Sequence, residues 1–137
     1  MRTVLAIVAG FAAAFAIMVA FEFTNSRLHP FPPGMDVFDI EQVRTFARNL
    51  PASALVMVAL GWISGSFVGG WLATRLAPDR AGLAAFVVGL LLTCGATFNA
   101  WLVREPLWFH FGGLALFPLF AYVGWRVARR NSRPHGD

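Results

Sequence analysis

With 137 residues, the chain has room for one domain. It is 58% hydrophobic and 13% charged, about half the charged share of an ordinary soluble domain, so a water-soluble fold of this size would have nowhere to hide its apolar surface. The net charge of +4 rests on 11 arginines without a lysine; they stand singly between apolar runs, which points away from nucleic acid and toward the flanks of membrane spans.

The first apolar run covers residues 3–21 and follows Arg2. It exceeds the roughly 7–15 residues of a signal-peptide core, and Glu22-Phe23-Thr24 is a poor cleavage site, so an uncleaved helix over about 3–22 is expected. Ala6, Gly10 and Ala14 form a stripe of small residues along it. The connection 23–50 is the one long loop. Three prolines at 30, 32 and 33 argue against helix across 25–34. Beyond them, Asp36 can cap a helix with Asp39 near its positive end. Ile40, Val43, Phe46 and Leu50 recur at helical spacing among Asp39, Glu41, Arg44, Thr45 and Arg48, the pattern of an amphipathic helix in the membrane interface over about 37–49.

Pro51 opens the second apolar run, 51–73, and a helix over about 51–74 is expected. Gly61, Gly65 and Gly69 repeat every four residues and lead to Ala73, a glycine-zipper pattern. Lipid tails supply no hydrophobic drive between helices, so such stripes permit close backbone approach. The first helix is expected to dock here through Gly10 and Ala14. A turn around Pro78-Asp79 leads to the third run, 81–103, and the Arg104-Glu105 turn to the fourth, expected as a helix over about 106–128 with Pro118 inside it. Each run is close to or above the about 20 residues that cross a bilayer core. Short links predict antiparallel neighbours, so the second to fourth helices read as one compact unit and the first as freer. Cys94, a single thiol, reads as a small packing residue, and Thr93 and Thr97 as hydroxyls bonded back along the third helix. Trp101 and Trp108 mark one interface, Trp71 and Trp125 the other.

The expected fold is thus an all-α membrane protein: a four-transmembrane-helix bundle with a short interfacial amphipathic helix between helices 1 and 2. It forms one domain, 1–129, followed by a disordered tail, 130–137. With the N-terminus inside, seven arginines fall on the inner side and four outside, which places both termini in the cytoplasm.

Chemistry could sit in one polar cluster near the outer face: Glu22, His29, Asn99, Arg104, Glu105 and His110. The known catalytic signatures, metal-ligand spacings and phosphate loops do not occur, and neither a metal nor a cofactor is expected. Three stretches, HPFPPGMD (29–36), GSFVGGWLA (65–73) and PLWFH (106–110), give the chain a pattern that resembles a family of small, mostly uncharacterised four-helix proteins of the bacterial inner membrane. The resemblance implies that membrane and no particular activity. The leading reading is a non-enzymatic accessory or assembly protein whose partners are membrane lipids and either a second copy or another membrane protein, with no nucleic acid. The alternatives are a small transporter or channel using Glu22, Asn99 and His110, and a lipid-active enzyme with His110 and a carboxylate at the outer surface.

Overall fold

The computed structural model describes residues 1–103 and 107–130, for 107–110 the backbone alone. The described residues form helices and no strand: α1 (Arg2–Leu28), α2 (Ile40–Arg48), α3 (Ala52–Leu76), a 3-10 turn (Pro78–Arg80), α4 (Ala81–Val103) and α5 (Leu107–Arg130). Four of these elements are long and apolar enough to cross a membrane: α1, α3, α4 with its leading turn, and α5. The fold is an all-α four-helix bundle, the architecture of a multi-pass membrane protein, with α2 as a short fifth helix. The expected disordered tail, 130–137, falls outside the described residues beyond Arg130.

α1 continues to Leu28, past the end expected near residue 22. Nothing in 22–28 forbids a helix, because the first proline is Pro30. The Thr24 and Ser26 hydroxyls donate back to Ala20 O at 2.9 Å and Phe23 O at 2.8 Å, so they do not compete for the backbone from outside the helix. His29 N–H then donates to Asn25 O at 2.8 Å and closes the last turn. The 27 residues of α1 give a rod of roughly 40 Å, against a hydrocarbon core of about 30 Å. The loop between the first two spans is correspondingly shorter.

α3 lies at the centre, packed against α1, α4 and α5. Its interface with α1 is the most extensive among the described residues, so α1 is not the loosely tethered helix that its long loop suggests. Glycine explains the closeness. A Cβ on Gly69 would stand 2.8 Å from Gly10 O, and one on Gly10 would stand 2.6 Å from Gly69 O. A Cβ on Gly65 would meet Ala14 O at 2.8 Å, and one on Gly61 would meet Phe21 Cβ at 2.9 Å. Backbone thus lies on backbone along the seam, where dispersion contacts are dense.

The second largest interface joins α3 to α5, helices that are not consecutive spans, and it exceeds the one between α3 and α4. Loop length alone favours the reverse. The reason is again glycine. Gly124 leaves room for Phe67 O and the Trp71 backbone, Gly70 for the Ala121 backbone, and Gly113 for the Trp62 ring. Trp62 in turn packs on Phe117 with ring centroids 5.2 Å apart.

One core cluster draws on all four long helices, including Ala6 and Ala14 (α1), Ala73 (α3), Ala84, Val88 and Leu92 (α4) and Phe117 (α5). The inside is made chiefly of small residues, while Val4, Leu5, Val8, Phe15 and Val19 of α1 and Leu83, Phe86 and Leu90 of α4 point outward. That inversion suits a lipid solvent, in which large apolar side chains need no burial and close helix approach is the stabilising term. Cys94 is exposed and is therefore not the packing residue expected; Gly95 beside it has nothing within 4 Å of an added Cβ. Thr93 and Thr97 donate to Gly89 O and Thr93 O, each at 2.8 Å.

Candidate functional site

The two ends of the bundle differ. At one end stand Arg2, Arg75, Arg80, Arg126, Arg129 and Arg130, near the ends of α1, α3 and α5 and in the 3-10 turn. Arg2 Nε donates to Leu76 O at 3.1 Å, so the start of α1 caps the end of α3. Arg75 stacks over Trp71 at 5.3 Å, Arg126 over Tyr122 at 5.6 Å and Arg129 over Trp125 at 5.2 Å, a favourable use of ring faces by cations.

The other end is covered by residues 29–50. Its framework is a dense set of local hydrogen bonds. Gly34 adopts φ 82, a left-handed conformation that glycine accepts without a steric penalty, and Met35 N–H reaches Pro32 O at 3.1 Å. Asp36 Oδ1 accepts from Phe38 N–H at 2.9 Å, while the Asp36 N–H donates to Gln42 Oε1 at 3.0 Å. Asp39, and not Asp36, is the N-cap of α2: its Oδ1 accepts from Glu41 N–H at 3.0 Å and Gln42 N–H at 3.5 Å. Asp36 is instead occupied by the preceding turn, which is why α2 starts at Ile40 and not near 37. The Gln42 side-chain amide, with the Glu41 N–H, holds the Asp39 carboxyl below the usual aspartate range.

α2 lies across this end with no buried residue of its own. Arg44 attaches it. Its Nε donates to Leu102 O at 2.9 Å, in the last turn of α4, where carbonyls lack helical partners and a cation meets the negative helix end. The same guanidinium pairs with Glu41. Phe31 packs on Phe46 with centroids 4.9 Å apart. Between the proline segment and α2 lies an open groove of about 500 Å³, with Pro32, Pro33 and Met35 on one wall and Gln42, Thr45 and Phe46 on the other. Beside it the turn presents Val37 and Phe38; Phe38 is 94% exposed.

The residues of the expected polar cluster fare differently. His29 ends α1, and its Nε2 is 3.3 Å from Ser53 Oγ, which ties α1 to the start of α3. Glu22 is exposed on α1 and makes no hydrogen bond or ion pair among the described residues. Asn99 is exposed on α4. His110 belongs to the first turn of α5, but its side chain, like all of Arg104 and Glu105, lies outside the described residues. The His29–Ser53 contact joins one cluster member to another element. The described residues contain no group of three His, Cys, Asp or Glu side chains placed to hold a metal ion.

Sequence reasoning passed over Asn25, which is 6% exposed with its Oδ1 unpartnered among the described residues. The helical repeat 14, 18, 21, 25 would have placed it on the buried face, had the helix been extended that far. Comparison with known proteins finds no matching family model, no matching curated protein and no matching solved structure.

Proposed function

We propose that the chain is a non-enzymatic accessory or assembly protein of the bacterial inner membrane, and that the cap of residues 29–50 is its contact surface. The observation that carries this reading is the Val37-Phe38 knob. Phe38 is 94% exposed and packs on nothing among the described residues, yet hydrogen bonds to Asp36 and Asp39 fix the turn on both sides of it. A preorganised aromatic loses little entropy on binding, the property of an interface anchor. The arginine-rich end faces the cytoplasm under the positive-inside rule, and the cap then faces outward. The glycine-zipper stripe serves the bundle itself, since Gly61, Gly65 and Gly69 all meet α1. The partner is another membrane protein or a second copy, and the reading agrees with the small four-helix inner-membrane family that the chain resembles.

Purification in mild detergent tests this. A stoichiometric protein partner or a stable homo-oligomer is expected, and Phe38→Asp should reduce its recovery at least about tenfold, as loss of an aromatic anchor does, without lowering the melting temperature. A monomer that turns over a substrate would contradict the proposal. Transport through Glu22, Asn99 and His110 has less support, because one close-packed core joins all four long helices; proteoliposome flux that Glu22→Gln abolishes would favour it instead.

A further inference from the structure

At the arginine-rich end, two cavities adjoin between α4 and α5. One is an apolar groove of about 180 Å³ along the bundle surface, with Ala85, Phe86 and Gly89 of α4 facing Pro118 and Tyr122 of α5. The other is a basin of about 490 Å³ that opens past the helix ends and is lined by Asp79, Arg80 and Arg129. Gly82 and Trp125 line both, so groove and basin form one continuous surface feature.

Its shape has a cause in the residues. Gly89 lets the helices approach: an added Cβ would stand 3.2 Å from Ala121 Cβ and 3.3 Å from Pro118 Cα. Gly82 leaves space, since its Cβ would come no nearer than 3.7 Å to Trp125 Nε1. The groove is thus closed at its floor and open at the junction with the basin. Above the junction, Arg129 stacks on Trp125 at 5.2 Å, which restrains the guanidinium at the mouth. Neither Arg80 nor Arg129 is in an ion pair with a described carboxylate, Asp79 included. Two arginines against one aspartate leave the basin net positive. Trp125 Nε1–H is buried and has no acceptor among the described residues, a hydrogen bond that is costly to leave unmade.

We propose that this feature is a binding site for one anionic phospholipid of the leaflet at the arginine-rich end. The phosphate lies in the basin between Arg80 and Arg129, and an acyl chain runs down the groove. Charge complementarity selects the occupant: a zwitterionic lipid fills the groove equally well but gains less from two cations, and basic pockets between membrane helices favour anionic headgroups.

The test is native mass spectrometry of the full chain, delipidated in detergent and titrated with phosphatidylglycerol or phosphatidylcholine of the same acyl chains. Phosphatidylglycerol should bind at one site about tenfold or more tightly, the scale two arginines near an anionic surface supply. The double variant Arg80→Gln, Arg129→Gln should abolish the preference. Gly82→Leu should block binding of both lipids while leaving the melting temperature unchanged, because its side chain grows into the open junction. Arg75→Gln, at the same end but on α3, should change nothing. Equal binding of both lipids, or an equal loss in Arg75→Gln, would overturn the site and leave only a general attraction to basic flanks. A dimer formed through the groove in place of bound lipid would overturn it as well.

Discussion

At the scale of residues, glycines of the same type have opposite roles. Gly65, Gly69 and Gly70 sit where a Cβ would press on the backbone of a neighbouring helix, whereas Gly95 faces open space. Gly65→Leu should cost at least about 1–3 kcal/mol through overpacking, read as a fall in melting temperature and loss of folded protein in detergent. A folded Gly65→Leu protein that differed only in oligomeric state would place that seam between copies instead. Gly95→Ala should be neutral or stabilising by about 0.4–1 kcal/mol, because alanine restricts the unfolded chain and suits the helix. Asp39 makes a pH prediction. Its carboxyl is held below the usual range by Gln42 and the Glu41 N–H, so the folded value lies below the unfolded one. The cap's contribution is therefore present above the unfolded aspartate value and is lost as pH falls through the lower, folded one. Amide protection factors at Glu41 and Gln42 should fall in acid below about pH 4, and Asp39→Asn should remove that dependence. Sequence gives the repeat of Gly61, Gly65 and Gly69 plainly. It does not give Gly113 and Gly124, which stand in no stripe and become meaningful only once Trp62 and Phe67 lie against them.

At the scale of elements, the apolar runs were readable because charges or prolines bound nearly every one of them, and α4 begins at Ala81, after the 3-10 turn at Pro78–Arg80. The ends of α1 and α2 were not. Asn25, Ser26 and the nearby prolines look like a loop start, but serine and threonine can satisfy their hydroxyls inside a helix, and only Pro30 forces an exit. Asp36 and Asp39 are equal capping candidates by type; the competing bond from Phe38 to Asp36 decides between them. The attachment of α2 is simple enough to test. With no buried residue of its own, it depends on Arg44 and the Phe31–Phe46 contact. Arg44→Gln should free α2 and raise proteolysis within 30–50 several-fold. The bundle's melting temperature should hold, since α2 contributes no buried residue to the core. A bundle that melts with the cap would show that the two fold as one cooperative unit.

At the scale of the whole molecule, the class of fold followed from composition, while the packing order did not. Short loops favour α3 with α4 and α4 with α5, yet α1 and α5 hold the larger contacts with α3, because glycine decides how near two backbones come and loop length only decides which helices are neighbours in sequence. The polar cluster shared one depth in the sequence, but depth along a helix says nothing about the side on which a residue emerges, and Glu22 and Asn99 emerge exposed. What distinguishes the loop-covered end is instead a hydrogen-bonded turn that displays Phe38. Photo-crosslinking from that position in native membranes probes its role most directly. A photoreactive phenylalanine analogue at position 38 should give one discrete protein adduct in stoichiometric yield, and the same analogue at Leu60, an exposed position on α3, should give lipid adducts. Lipid or solvent adducts alone from position 38, indistinguishable from those at position 60, would contradict a contact role for the cap.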